Sequence, residues 1–301
     1  MNDIIIHEVG LRDGLQMESE PVPTITKQQW IEMFFKSGID IIQLGSFVNQ
    51  SKIPQMQDTD DLFEYFMQPV TKPAHVTLSG LVLNERGLER GMNCGVELFC
   101  LGVSASDTHS RKNTGMSTEE ATSRIINIAK EIIKAGKKVQ TSVQSAFGCG
   151  FEGNIPEERV LSIVEKYINA GIKNISLADT AGHANPSKVV KLYTAINKMD
   201  SSVETACHFH NTYGMGMVNC YAAMQCGVKY FETAFGGLGG CPFTKQPAGN
   251  VCTEDFVQML QEMGIRQDIN VDSIVAVSKY ASGFFIKDLP GLVYKAGKIK
   301  H

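Results

Sequence analysis

Three observations predict an α/β fold, a TIM (β/α)8 barrel with extra C-terminal helices. Eight short apolar runs rich in Ile and Val recur along the 301 residues. Stretches of helical period separate them, so each crossover carries a helix and the strands run parallel. Eight strand–helix units fit the length usual for a closed barrel. An open doubly wound sheet is the alternative, and no GxGxxG follows the first run to favour it.

The predicted strands are 4–9, 39–44, 74–83, 96–103, 138–146, 174–178, 205–209 and 230–235. The clearest helix is 117–136. Ser117 and Glu120 have capping-box spacing, Ile125, Ile128, Ala129, Ile132 and Ile133 share one face, and Gly136 suits the C-terminal cap. Thr26 and Gln29 read the same way at the start of a helix reaching Ser37-Gly38. Further helices are expected at 151–170, 186–199, 214–226 and 254–264. The tail 270–301 reads as extra helix with a basic end, an extension of one catalytic domain spanning 1–301.

Composition narrows the function classes. The 43% apolar content can fill a large core, and a net charge of −4 offers no general basic field for nucleic acid. No run of about 18 apolar residues predicts a membrane span. The first strand starts at Ile4 with no basic segment before it, so a cytoplasmic protein is expected, with its eight cysteines free.

Barrel active sites form at the C-terminal ends of the strands, and polar residues gather there. Arg12 and Asp13 follow strand 1, Gln43 and Ser46 end strand 2, Asp179 ends strand 6, and His208 and His210 end strand 7. Two residues apart on a strand, both histidines face one way. They read either as core histidines bonded to backbone or as ligands. A strand-ending Asp13 at the far end of the chain favours ligands, and a mixed N/O set suits Mg²⁺, Mn²⁺, Co²⁺ or Zn²⁺. Arg12 beside it suits an oxyanion or enolate, or else a plain ion pair. Cys241 sits between Phe235-Gly236-Gly237-Leu238-Gly239-Gly240 and Pro242, a backbone free enough to close over a substrate and deliver a thiol. The run 104–113 follows strand 4, and its Arg111 and Lys112 read equally as a phosphate contact or as a solvated loop.

The segments EVGLRDGLQ, SFVNQSKIPQM, SASDTHSRKN, GCGFEG, SLADTAG, HFHNTYG, GGLGGCPF and AGNVCTED stand in the order and spacing of 3-hydroxy-3-methylglutaryl-CoA lyase. The chain therefore resembles a member of the DRE-TIM metallolyase superfamily. The glycine-rich cysteine loop resembles the lyase branch more than the condensing synthases. The resemblance implies a divalent cation, Mg²⁺ or Mn²⁺, on Asp13, His208, His210 and Asn250. It implies catalytic roles for Arg12, Cys241 and Asp179, and a glutamate behind the cysteine loop at Glu254. The implied reaction is a retro-Claisen cleavage of an acyl-CoA, with a small-molecule coenzyme A thioester as substrate and a homodimer as assembly. Leucine degradation, ketone-body formation or a bacterial acid-degradation route would be its setting.

The departures from the family pattern cluster at the expected site. Gln43 stands where the lyases usually have glutamate, and an amide cannot take up a proton at neutral pH. Asn211 replaces a common aspartate, Ser19 replaces a lysine expected to touch coenzyme A, and Leu11 replaces a proline. Gln144 and His183 add polar groups near strand ends. Two other readings follow: a lyase or aldolase for a related 3-hydroxyacyl-CoA or hydroxy acid, or a metabolite-binding relative without catalysis.

Overall fold

The computed structural model describes residues 4–68, 71–240 and 249–299. Eight parallel strands close on themselves in chain order: β1 (Ile5–Glu8), β2 (Ile41–Ser46), β3 (Thr77–Leu81), β4 (Leu98–Ser104), β5 (Lys138–Gln144), β6 (Asn174–Asp179), β7 (Glu204–Phe209) and β8 (Tyr230–Thr233). β1 pairs with β2, His7 opposite Ile41, and with β8, Ile5 opposite Tyr230. Closure leaves no strand edge exposed.

Around the barrel run α1 (Thr24–Phe35), α2 (Thr59–Phe66), α3 (Glu85–Asn93), α4 (Asp107–Thr114), α5 (Thr118–Lys134), α6 (Glu157–Asn169), α7 (Pro186–Met199) and α8 (Gly216–Gln225). Then come α9 (Thr253–Glu262), α10 (Val271–Phe285) and α11 (Val293–Ala296). α5 buries Ile125, Ile128, Ala129 and Ile132, and its capping box is formed, Glu120 N–H donating to Ser117 Oγ. Each of these buried isoleucines contributes about 1.5–3 kcal/mol. Among the described residues no helix is long and apolar enough to cross a membrane.

Three sequence expectations shift. α1 begins at Thr24, not Thr26, because the Pro23 carbonyl takes the first helical amides and Thr26 falls inside the first turn. α6 begins at Glu157 rather than near 151, since Cys149 and Gly153 close a tight turn and Pro156 precedes the helix. The polar run after β4 is a helix rather than a loop: Ser106 caps α4, its Oγ accepting from His109 N–H.

The C-terminal helices buttress the turn that follows β8. Trp30 and Phe34 of α1 meet Phe235 at ring distances of 5.7 and 5.5 Å, and Phe284 of α10 meets Trp30 at 6.2 Å. Two buried carboxylates hold the same turn: Phe235 N–H donates to Glu8 and Gly236 N–H to Glu254. Gly236 has φ +62°, and a Cβ there would lie 2.4 Å from Leu289, so this corner admits only glycine.

Candidate metal centre and substrate cavity

Chain direction puts the chemistry at one mouth of the barrel. After β1 the backbone forms a wide π-type turn, Gly10–Gly14, which presents Arg12 and Asp13. His208 lies on β7 and His210 follows it. The segment 249–251 laces across the end of β7, with Asn211 N–H donating to Gly249 O and Val251 N–H to Phe209 O. That crossing carries Asn250 to Asp13, its Nδ2 donating to Asp13 Oδ2 at 2.9 Å.

Three ligand atoms converge. His208 Nε2 and His210 Nε2 are 3.0 Å apart, and Asp13 Oδ2 is 3.8 Å from each. Neighbouring ligands of a six-coordinate ion at about 2.1 Å lie about 3 Å apart, so the histidine pair has ligand spacing. Asn250 fits the same group: its Nδ2 is used on Asp13 and on Leu238 O, while its Oδ1 is buried without a partner. Glu232 on β8 completes the arrangement. It lies 3.0 Å from His208 Nδ1, which fixes the ring and frees the Nε2 lone pair for a cation. The sequence reading missed Glu232. A lone glutamate in an apolar run carried no signal of its own; the pairing of β7 with β8 sets it opposite His208.

The electrostatics match that use. Burial alone would raise the Asp13 carboxyl, but Arg12 and both histidines hold it down at about 2. Burial and the neighbouring His208 lower His210 to about 4, leaving its ring neutral. Burial opposes a charge on His208, yet Glu232 and Asp13 more than offset this and raise it. These groups are arranged to hold positive charge between the two Nε2 atoms and the carboxylate.

The cavity beside this cluster is lined by Arg12, Asp13, His208, His210 and Glu232 on one side and by Gln43, Cys100, Gln140, Ser142 and Gln144 on the other. Arg12 Nη1 holds Asp13 Oδ1 at 2.5 Å, and its Nε is buried without a partner. Gln43 is buried on β2, just before an irregularity in the register that Gly45 permits, since a Cβ there would strike Thr59. Asp179 is fully buried and does not line the cavity, though Ala178 and Thr180 do. Its Oδ2 accepts from Ala184 N–H, its Oδ1 has no partner, and burial raises it to about 7.

The remaining expected residues divide. From α4, His109 and Asn113 line the cavity, while Arg111 pairs with Asp107 at 2.7 Å and Lys112 lies over the Phe151 ring. Asn211 accepts from Gly216 N–H at the entrance to α8. Glu254 is buried behind the glycine turn, and Leu11 is packed in the core. Gln144 lines the cavity, and His183 packs under Gly148. Cys241 lies outside the described residues; the seven described cysteines are free.

Known proteins resemble this chain along nearly its whole length. A hydroxymethylglutaryl-CoA lyase of Bacillus subtilis is 34% identical over 287 residues, 95% of this chain and 95% of that one. An (R)-citramalyl-CoA lyase of Chloroflexus aurantiacus is also 34% identical, covering 99% of this chain and 96% of its own. The solved structure of an HMG-CoA lyase from Acinetobacter baumannii, in complex with coenzyme A and 3-methylmalate, superposes with a TM-score of 0.91 at 36% identity, covering 99% of this chain and 96% of that one. The HMGL-like family profile matches residues 3–280. With that match spanning every strand of the barrel and all of the converging ligands, the chain belongs to the HMGL-like family.

Proposed function

We propose that this carbon–carbon lyase of the HMGL-like family cleaves 3-hydroxy-3-methylglutaryl-CoA to acetyl-CoA and acetoacetate with the help of a divalent cation. The observation that carries the reading is the convergence of Asp13, His208 and His210 on one point beside an Arg12 whose Nε is free. When bound there by these three and Asn250, Mg²⁺ or Mn²⁺ supplies Lewis acidity toward the substrate's tertiary hydroxyl and an adjacent carboxylate or carbonyl oxygen.

In this reading the hydroxyl proton leaves, the bond between carbinol carbon and thioester α-carbon breaks, and its electron pair passes to the acetyl-CoA enolate. Arg12 donates to that developing oxyanion. The Gln43 amide cannot accept the hydroxyl proton; Asp179, the carboxylate the resemblance offers, stands behind Ala178 and Thr180 of the cavity wall and would exchange that proton through an intervening group. Cys241, by its resemblance, returns a proton to the enolate carbon. His208 is kept in one tautomer by Glu232 throughout. Coenzyme A extends outward past α4, where Arg111 and Lys112 are the cations for its phosphates.

A second reading has a specific support, the equal identity to the (R)-citramalyl-CoA lyase. Acetyl-CoA release from both thioesters, with Mg²⁺ or Mn²⁺ and with a chelated control, separates the two. Metal-dependent release from the glutaryl thioester alone establishes the first. Release from the citramalyl thioester alone moves the substrate, and release that survives chelation removes the metal from the mechanism.

A further inference from the structure

One face of the cavity has no part in the chemistry above. In a closed eight-stranded barrel β4 lies across from β8 and β5 across from β1, so Cys100 and Gln140 face the metal-ligand side from the opposite wall. The described residues that β2, β4 and β5 give to the cavity are Gln43, Cys100, Leu101, Gln140, Ser142 and Gln144, none of them charged. Gln43 and Gln140 are 4% and 2% exposed. The Cys100 thiol sits between them, bonded toward Gln43 and, at 3.8 Å, toward Gln140 Oε1. Gln140 Nε2 has no partner. An amide this deep with an unpaired atom costs stability unless something meets it.

We propose that Gln140, with Gln43, forms a subsite for an uncharged hydroxyl carried by the acyl chain on the side of the carbinol carbon that faces away from the metal ligands. The inference rests on the lyase reading and extends its substrates to hydroxyacyl thioesters whose methyl carries a hydroxyl. The direction follows from the site's geometry. If the cation side takes the tertiary hydroxyl and its neighbouring oxygen, the remaining substituent points to β4 and β5. A methyl there leaves the Gln140 amide unpaired. A carboxylate there meets no cation among the described residues of that wall, so its charge is uncompensated. A hydroxyl both donates and accepts, so it satisfies the Gln140 amide whichever way its nitrogen and oxygen are turned.

The test uses two thioesters that differ only at this substituent: 3-hydroxy-3-methylglutaryl-CoA and its analogue with hydroxymethyl in place of the methyl. The whole enzyme with Mg²⁺ should favour the hydroxymethyl analogue by about tenfold in kcat/KM. Gln140→Met, which keeps the length and removes the polar atoms, should bring that ratio to about one. A wild-type ratio of one or below overturns the subsite even if the variant fails to fold. So does a ratio that Gln140→Met leaves unchanged, or a preference for a third analogue bearing carboxylate in place of the methyl. If wild type cleaves none of the three, the lyase reading fails separately, and calorimetry with the three free acids decides the subsite. About tenfold tighter binding of the hydroxymethyl acid, lost in Gln140→Met, supports it; equal binding overturns it.

Discussion

At the mouth of the barrel, β1, β7 and β8 contribute Asp13, His208 and Glu232, while β2, β4 and β5 contribute Gln43, Cys100 and Gln140. The first wall is a network of charge. Asp13 touches Arg12, both histidines and Asn250, and Glu232 orients His208. The second wall is neutral, and its buried Gln140 Nε2 has no partner. The difference teaches how one barrel separates its tasks. Groups that must hold a cation need opposite charges within a few ångströms and a fixed tautomer. Groups that tell one substituent from another need hydrogen-bond atoms that only the right substituent satisfies. Changes on the first wall should reduce turnover of every substrate; changes on the second should reorder substrates.

The largest effect is expected from His208→Ala or Asp13→Ala. Removing a ligand forfeits several kcal/mol of Lewis-acid stabilisation, roughly a thousandfold in turnover. Isothermal titration with Mn²⁺ should show weakened binding in the same variants. Full turnover in either one, with metal removed by chelation, breaks the assignment of this wall. Glu232→Gln is the next step down. It keeps a partner for His208 Nδ1 but removes the carboxylate, which should cost about 10–100-fold in metal affinity or activity. Unchanged Mn²⁺ affinity would show that His208 needs no carboxylate behind it.

These two walls were not equally legible in the sequence. Asp13, His208 and His210 announce themselves because each ends an apolar run, and barrel topology brings such ends together. The strands were legible for the same reason: buried parallel strands are nearly continuous apolar runs. Helices α2 and α3 were not singled out, being short, charged segments whose faces become visible only once the strands they cover are placed. Gln140 was hidden because β5, Lys138–Gln144, carries five polar residues beside Val139 and Val143, and only closure of the barrel separates those pointing inward. Glu232 was hidden likewise, since a single glutamate in a strand says nothing until β8 is paired with β7 and His208 stands opposite it. The start of α1 went astray because Pro23 contributes a carbonyl rather than a capping side chain.

Gln43→Glu sharpens the contrast by placing a carboxylate on the neutral wall. If Gln43 marks a lost proton acceptor, cleavage of 3-hydroxy-3-methylglutaryl-CoA should rise by about tenfold or more. The pH–rate profile should then gain a limb belonging to the new group. An unchanged rate and profile would show that proton exchange lies elsewhere.

The smallest effect on turnover, and the one that tests the scaffold beneath the charged wall, concerns Glu8. It is fully buried on β1 and accepts from Gly10 N–H, Phe235 N–H and Thr253 Oγ1–H. Burial nevertheless dominates, raising its carboxyl to about 8. The sign follows from proton counting. Between the ordinary carboxylate range near 4.5 and about 8 the folded chain holds a proton there that the unfolded chain has released, so this group makes stability fall as pH rises through that window. Above 8 both states are ionised and its contribution levels off. Glu8→Gln keeps an acceptor for the two backbone amides and never ionises. Urea unfolding at pH 5 and pH 8 should therefore show a loss in the wild type that is smaller in Glu8→Gln, by an amount on the order of a few kcal/mol. Equal pH dependence in the two proteins would mean that Glu8 stays ionised throughout, its three donors outweighing burial, and that the glycine turn leading toward Cys241 is held by a charge rather than by a neutral acid.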